Sequence, residues 1–150
     1  VADCLPIVVY AFDPPVLALI HAGRMGTYHR IVHRVIEAVR QHVAVAPEQL
    51  RAILGPAIGA CCYILDTQAV NPFKERFPAW QDFFTPRGEQ HWVMDLVAAN
   101  KAQLQAGGVP TSNIEAANIC TACHNQHLYS HRAEGQEAGR GMGIAALLPS

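Results

Sequence analysis

The chain has 150 residues, of which 51% are hydrophobic and 15% are charged, and this is the composition of one globular domain. A net charge of −1 excludes a surface built to attract nucleic acid or anionic lipid, and the apolar runs are too short to cross a bilayer. Because the sequence shows no secretory signal pattern, we expect a cytoplasmic protein with reduced cysteines and no nucleic-acid or membrane partner.

The first forty residues predict a β-hairpin followed by an amphipathic helix. Apolar runs at 5–10 and 16–20 flank Asp13-Pro14-Pro15, which is a turn signal. Gly23 and Gly26 then introduce a helix. Its apolar residues recur three or four positions apart and therefore share one face: Tyr28, Ile31, Val32, Val35, Ile36 and Val39.

The middle of the chain predicts one more strand and two capped helices. Residues 51–54 form the strand, and the glycine-rich turn 55–59 follows it. Asp66 is expected to cap one helix, and Asp95 is expected to cap another over 96–106.

The last third of the chain predicts three closing strands, at 114–119, 126–130 and 143–148. Strands and helices mixed in this way, with one hairpin, favour a single α/β (α+β) domain. We therefore expect a mixed β-sheet sandwich with helices packed on it.

Cys4 and His21 are the first candidate metal ligands. Cys4 stands at the start of one predicted strand, and His21 stands just past the end of the next. Hairpin pairing would bring both side chains to one edge of the sheet, where a thiolate and an imidazole suit Zn²⁺ at roughly 2.0–2.3 Å. The alternative is a buried cysteine and an unrelated histidine, and spacing alone favours that alternative.

Residues 120–124, CTACH, match the C-x-x-C-H pattern of c-type haem attachment. Haem is attached outside the cytoplasm, so we interpret the match as accidental. We also expect Cys120 and Cys123 to form neither a disulfide nor a separate zinc site, because no second cysteine pair completes a four-ligand set.

A polar cluster follows at 127–132. A strand there would place His127, Tyr129 and His131 on one face, with Ser130 and Arg132 on the other. The functional interpretation is an edge that faces a ligand, where an arginine holds phosphate or a developing anion. The alternative is a polar strand end.

Six segments in this order and at these separations resemble the bacterial YfiH family, long labelled multicopper polyphenol oxidases or laccases and related to the human laccase domain-containing protein. The resemblance spans essentially all 150 residues. The segments are VADCLPIVV, HAG, ILGPAIGACCYIL, DLVAANKAQL, NICTACHNQHLYSHR and GRGMGIAAL.

The resemblance implies a compact α/β domain with a zinc ion bound by two histidines and one cysteine. Residues 1–150 are then expected to be the C-terminal part of that domain, with the N-terminal segment absent. The implied activity is purine nucleoside phosphorylase with adenosine deaminase, acting on adenosine, inosine and methylthioadenosine together with phosphate. A monomer or small homo-oligomer is expected.

The same resemblance implies the site residues. Cys4 of ADC and His21 of HAG match two zinc ligands, and the third ligand, a histidine, lies upstream of ADC in the family. Arg132 of YSHR matches the catalytic arginine, with Cys4 as a second catalytic candidate, as ligand or nucleophile. Arg24 and His131 are expected to bind substrate.

Three positions depart from the family pattern. The family reads HAGWRG, whereas this chain has Arg24 at the tryptophan position and Met25 at the arginine position. Many members carry a second arginine where this chain has Ala133. These departures put the identity of the substrate-binding arginine in doubt.

Three other functions stay open. The older family label implies a copper-dependent oxidase of phenols, although such enzymes need several H-x-H ligand pairs and this chain contains none. A cytoplasmic hydrolase that edits wrongly built peptidoglycan precursors would use the same pocket. A non-catalytic metal-binding module is the third.

Overall fold

The first sheet is built on the predicted hairpin. In the computed structural model, which describes residues 1–148, β1 (Leu5–Phe12) pairs antiparallel with β2 (Pro15–Ala22). On its other edge β1 pairs antiparallel with β3 (Arg51–Leu54), and β3 pairs in parallel with β7 (Ile114–Ala116). The strand order is therefore β2-β1-β3-β7.

The second sheet of the described residues is a small antiparallel one. Its strands are β4 (Ile64–Asp66), β5 (Phe84–Pro86) and β6 (His91–Met94), in the order β4-β6-β5. With the helices, the two sheets make a mixed α/β domain, which confirms the predicted fold class.

Five α-helices are present within residues 1–148: α1 (Arg24–Tyr28), α2 (Ile31–His42), α3 (Thr67–Arg76), α4 (Leu96–Ala106) and α5 (His131–Glu134). The two predicted caps are confirmed. The Asp66 carboxylate accepts a hydrogen bond from the backbone N–H of Ala69 at 2.7 Å, and that of Asp95 from Ala98 at 2.8 Å. None of the helices in this range is long and apolar enough to cross a bilayer.

The predicted first helix is interrupted. Arg30 adopts a left-handed conformation with φ +57°, which ends α1 and begins α2. The apolar face of α2 is nevertheless buried as its spacing predicts, through Val32, Ile36 and Val39. It packs against α4 and β2, so α1 is left as a short separate element that follows the end of β2.

Two of the three predicted closing strands are wrong, and the third is shorter than predicted. Residues 126–130 form turns that lead into α5, because Ser130 acts as a helix cap: its hydroxyl accepts from the backbone N–H of Ala133 at 3.2 Å. Residues 143–148 join no strand ladder and line the outer face of the first sheet. Only residues 114–116 of the predicted strand 114–119 enter the sheet.

Thr27 connects α1 to α4 inside the core. It is 1% exposed, its hydroxyl accepts a hydrogen bond from Asn100 Nδ2 at 2.9 Å, and its carbonyl accepts one from Gln103 Nε2 at 2.8 Å. Buried amide groups are costly unless they are hydrogen-bonded, so these two contacts fix α1 against α4.

We expect Thr27→Val to lower the free energy of unfolding by about 1–3 kcal/mol, because one N–H of Asn100 is left buried without an acceptor. Thr27→Ser keeps the hydroxyl and serves as the matched control, with a smaller loss. Urea unfolding followed by circular dichroism measures both. Equal stability of the valine variant and the wild type would contradict the role of this hydrogen bond.

Candidate active site

The hairpin register places Cys4 and His21 at the same edge of the sheet. Leu5 pairs with Ala22 and Pro6 pairs with His21, so Cys4 lies immediately before the paired region. Both side chains line one cavity of about 510 Å³. The structure thus brings these two residues together as the hairpin argument expects, and their role as metal ligands stays a prediction.

The other predicted site residues line the same cavity. Arg24 enters it from the first position of α1, and His131 and Arg132 enter from α5. The lining also includes Tyr63 and Arg140, which the sequence analysis did not single out. Residues from five distant segments therefore share one pocket, although the strand expected to carry His131 and Arg132 is a helix.

Gly23 makes room for the Cys4 thiol. A Cβ atom at position 23 would lie 2.6 Å from the Cys4 sulfur, closer than side chains ever pack. The glycine of the HAG motif therefore allows the chain after His21 to close directly over the sulfur. Cys4 and His21 are held near each other by this backbone approach as well as by strand pairing.

Cys4 is half-buried, and this burial raises the pKa of its thiol above the usual value. The nearby Asp3 carboxylate raises it further, whereas Arg140 opposes the rise. The thiol is therefore protonated at neutral pH, and a bound cation would have to displace the proton.

A thiol and an imidazole fit two positions of a zinc site. Within residues 1–148, no third His, Cys, Asp or Glu side chain is grouped with Cys4 and His21 at ligand distance. Asp3 and His131 line the same cavity, so other potential donors lie in its wall.

Asp3 is a third residue of the site, besides Tyr63 and Arg140, that the sequence analysis missed. One carboxylate oxygen accepts from the Thr121 hydroxyl at 2.6 Å, and the other accepts from the backbone N–H of Arg132 at 2.7 Å. The Asp3 carbonyl accepts from the N–H of Ile58 at 2.9 Å. Asp3 lies in the segment VADCLPIVV and Thr121 lies in the segment NICTACHNQHLYSHR. Their presence in these two segments of the family resemblance was the signal that could have identified them.

The Arg132 side chain is anchored rather than free. Its Nη1 donates to the carbonyl oxygens of Cys62 at 3.2 Å and Ile64 at 2.9 Å, and the guanidinium lies 5.4 Å from the centre of the Tyr63 ring. No acceptor among the described residues engages its other nitrogen atoms. The guanidinium is therefore oriented beside the cavity with donors left for a ligand.

Both residues of the HAG departure, Arg24 and Met25, line pockets that Cys4 and His21 also line. Arg24 lines the cavity described above with Cys4 and His21, and Met25 lines a second pocket of about 480 Å³ together with the same three residues. Arg24, Arg132 and Arg140 bring three guanidinium groups to the cavity, and the carboxylate of Asp3 is already engaged by two donors. The cavity is therefore suited to an anion.

Tyr63 adds a neutral phenol to the wall. Burial raises the pKa of Tyr63, and the neighbouring Arg24 and Arg132 offset only part of that rise. The hydroxyl stays protonated at neutral pH and remains able to donate a hydrogen bond to a ligand.

The other four cysteines form a cluster outside the cavity. The sulfur atoms of Cys61, Cys62, Cys120 and Cys123 all lie within 4.8 Å of one another, and such a group could hold a metal ion. This corrects the expectation that no second pair accompanies Cys120 and Cys123. A parallel β-bridge between Ala57 and Cys120 brings the segments together, a long-range contact that local patterns do not encode.

The cluster contains one acidic thiol. Burial raises the pKa of Cys120, but hydrogen bonds from the Gly59 backbone and from the thiols of Cys61 and Cys123 outweigh that effect. The result is a pKa of about 7 for Cys120. At neutral pH this residue is substantially a thiolate, the form that binds metals.

Fold and cavity together define a mixed α/β domain with a pocket that combines a thiol, an imidazole and three guanidinium groups. The chain belongs to the family described as multi-copper polyphenol oxidoreductase laccase, whose family model matches residues 1–148. This membership confirms the resemblance to the YfiH family.

Two relatives named for an enzymatic activity are similar to this chain over most of its length. Purine nucleoside phosphorylase YlmD of Geobacillus stearothermophilus is 34% identical over 144 residues, covering 93% of this chain and 51% of that protein. Adenosine deaminase RL5, from an unknown prokaryotic organism, is 34% identical over 142 residues, covering 93% of this chain and 53% of that protein.

A solved structure shares the fold. The hypothetical protein YfiH of Bacillus licheniformis matches with a TM-score of 0.85 at 28% identity, over 89% of this chain and 50% of that chain. The chain thus spans about half the length of the relatives it matches.

We expect Asp3→Gly to loosen the segment 120–134, because glycine tolerates the φ of +74° at this position while the two charge-assisted hydrogen bonds are lost. The free energy of unfolding should fall by at least about 2 kcal/mol. Asp3→Asn is the matched control, since it keeps one acceptor oxygen. Hydrogen exchange measured by mass spectrometry would contradict this role if segment 120–134 exchanged no faster in the glycine variant.

Proposed function

We propose that the protein containing this chain is a zinc-dependent purine nucleoside phosphorylase that also deaminates adenosine. Adenosine, inosine and methylthioadenosine are the proposed substrates, with phosphate as co-substrate. One observation carries the proposal: a single cavity joins the metal-donor pair Cys4 and His21 to three guanidinium groups. Similarity to purine nucleoside phosphorylase YlmD supports the first activity, and similarity to adenosine deaminase RL5 supports the second.

In phosphorolysis, a phosphate oxygen forms a bond to C1′ of the ribose while the bond to the purine breaks. The transition state resembles an oxocarbenium ion, so the placement of charge matters more than a strong nucleophile. Arg132 is oriented by the Cys62 and Ile64 carbonyls, and it would bind phosphate with donors that those carbonyls do not use. Arg24 and Arg140 would share the phosphate charge.

Cys4 and His21 would hold the zinc, which when bound supplies Lewis acidity near neutral pH. The buried Cys4 thiol is not activated as a free nucleophile, since its pKa is raised rather than lowered. We propose Cys4 as a ligand, and not as the covalent nucleophile of a cysteine hydrolase, because the His21 imidazole lines the same cavity and a thiolate bound to zinc is poorly available for attack.

Deamination of adenosine is the second activity. It consumes one water molecule and releases the C6 amino group of the purine as ammonia, so it needs no phosphate. The Tyr63 hydroxyl and the His131 imidazole line the cavity wall and would hold the purine ring by hydrogen bonds. The two reactions would then share the metal donors and differ in their need for the arginines.

A copper-dependent oxidase of phenols, the function in the family description, is less consistent with these residues. Within residues 1–148, no three histidines are grouped as shared metal ligands. A hydrolase of peptidoglycan precursors would use the same cavity, and only a substrate comparison separates it from the nucleoside enzyme.

Arg132→Ala should lower phosphorolysis of adenosine by about 10²-fold or more, while deamination is reduced much less. Arg24→Ala, which removes a guanidinium without breaking a hydrogen bond inside the described chain, should show the same selectivity. Arg34→Ala, at an exposed site on α2, is the matched control and should leave both rates unchanged.

Chromatography of the products from adenosine, with zinc and phosphate present, decides this prediction. Equal losses of adenine and inosine formation in Arg24→Ala would contradict phosphate binding by the arginines. Absence of both products from the wild type, with cleavage of a peptidoglycan precursor, would establish the alternative function.

The double variant Cys4→Ser, His21→Ala should lose one equivalent of zinc per chain, because both proposed ligands at the cavity are removed. His42→Ala, at the exposed end of α2, is the control and should keep that zinc. Elemental analysis of protein purified without chelators measures the difference. An unchanged zinc content in the double variant would contradict the assignment of Cys4 and His21 as zinc ligands.

A further inference from the structure

The cysteine cluster has the dimensions of a four-coordinate metal site. Cys123 Sγ lies 3.5 Å from the sulfur of Cys61 and 3.5 Å from that of Cys62, and all four sulfurs lie within 4.8 Å of one another. Four thiolates at roughly 2.3 Å from a tetrahedral zinc ion are about 3.8 Å apart. The sulfurs are therefore close to the required spacing before any metal is considered.

Backbone hydrogen bonds hold one residue of the cluster, Cys120, at both its sulfur and its carbonyl oxygen. The N–H of Gly59 donates to Cys120 Sγ at 3.2 Å, and the Cys120 carbonyl accepts from the N–H of His124 at 3.1 Å. A Cβ at position 59 would lie 3.2 Å from both Cys61 Sγ and the Cys120 side chain, so a larger residue would have to shift these neighbours by a few tenths of an ångström. Such outer hydrogen bonds orient thiolate ligands and tune metal affinity.

We propose that Cys61, Cys62, Cys120 and Cys123 together bind one structural zinc ion, separate from the Cys4 and His21 pair. An all-sulfur set selects a soft or borderline cation and excludes magnesium and calcium. Four protein ligands close the coordination sphere, which is the pattern of structural rather than catalytic zinc. Binding one Zn²⁺ releases the protons that remain on the four thiols.

Pairwise disulfides fit the arrangement less well. A disulfide requires sulfurs about 2.05 Å apart in one chosen pair. Here Cys123 is equally distant from Cys61 and Cys62, so the sulfurs surround a common point instead of forming two pairs.

The site would connect two segments that build the cavity. Cys61 and Cys62 precede Tyr63, and Cys120 and Cys123 belong to the segment that ends at α5. The carbonyl of Cys62 accepts a hydrogen bond from Arg132, so one proposed ligand residue also orients the cavity arginine. The metal would stabilise the position of Tyr63 and Arg132 without contacting substrate.

Cobalt substitution of the full protein tests the site. We expect Co²⁺ to give the intense visible bands and sulfur-to-cobalt charge transfer of a tetrathiolate. The variant Cys120→Ser, Cys123→Ser should lose this spectrum and one equivalent of zinc. The variant Cys4→Ser, His21→Ala should keep the spectrum and the zinc equivalent of the cluster while it loses the separate equivalent of the cavity, so failure of the proposed function and failure of this site are distinguishable.

Three results would overturn the proposal. One is a spectrum lost in the Cys4 and His21 variant but kept in the Cys120 and Cys123 variant. Another is a native mass 2 or 4 Da low with no bound metal, which would show disulfides. The third is iron instead of zinc in the purified protein.

The variant Gly59→Ala keeps all four thiols. It tests the site independently if the Cys120→Ser, Cys123→Ser variant fails to fold. Zinc affinity should fall by about 10- to 100-fold, since the N–H to Cys120 is displaced. Gly143→Ala is the matched control, because its Cβ would lie 3.7 Å from Leu19, an ordinary contact, and its zinc affinity should stay that of the wild type. Equal zinc release to a competing chelator by the two variants would contradict the role of Gly59.

Discussion

The carboxylate of Asp3 holds the cavity together. It accepts hydrogen bonds from Thr121 and from the backbone of Arg132, across sequence separations of 118 and 129 residues. Both bonds involve a charged acceptor, which makes them stronger than neutral ones. They join the segment that carries His131 and Arg132 to the residues just before β1, in addition to the Ala57–Cys120 bridge and the bonds from Arg132 to the Cys62 and Ile64 carbonyls. The left-handed backbone of Asp3 is the local cost of aiming one side chain at two distant donors.

The electrostatic character of the cavity follows from this arrangement. The cavity lining carries the three guanidinium groups of Arg24, Arg132 and Arg140 against the one carboxylate of Asp3, so positive charge predominates. Arg140 donates to the carbonyl oxygens of Ala138 and Gly139, so it is held by the backbone, as Arg132 is. Guanidinium groups fixed in this way lose little conformational entropy when an anion binds.

Sequence reasoning succeeded where local chemistry decides the structure. The hairpin follows from two apolar runs around a proline turn, and the caps of α3 and α4 follow from Asp66 and Asp95. It failed at 126–130, because the capping bond of Ser130 outweighs a polar alternation that looks like a strand. The contact between Cys61-Cys62 and Cys120 depends on a long-range β-bridge, for which the sequence carries no local signal.

Cys4 and the four-cysteine cluster have one structural feature in common, a glycine that allows the backbone to approach a sulfur atom. Gly23 closes over Cys4, where an added Cβ would stand 2.6 Å from the sulfur, and Gly59 closes over Cys61 and Cys120. The pKa values of Cys4 and Cys120 are shifted in opposite directions. Burial keeps Cys4 protonated, whereas hydrogen bonds from the Gly59 N–H and from Cys61 and Cys123 lower the pKa of Cys120 to about 7. A cation at Cys4 must therefore displace a proton and needs help from His21, whereas the four-cysteine cluster already carries a ligand in its binding form at neutral pH.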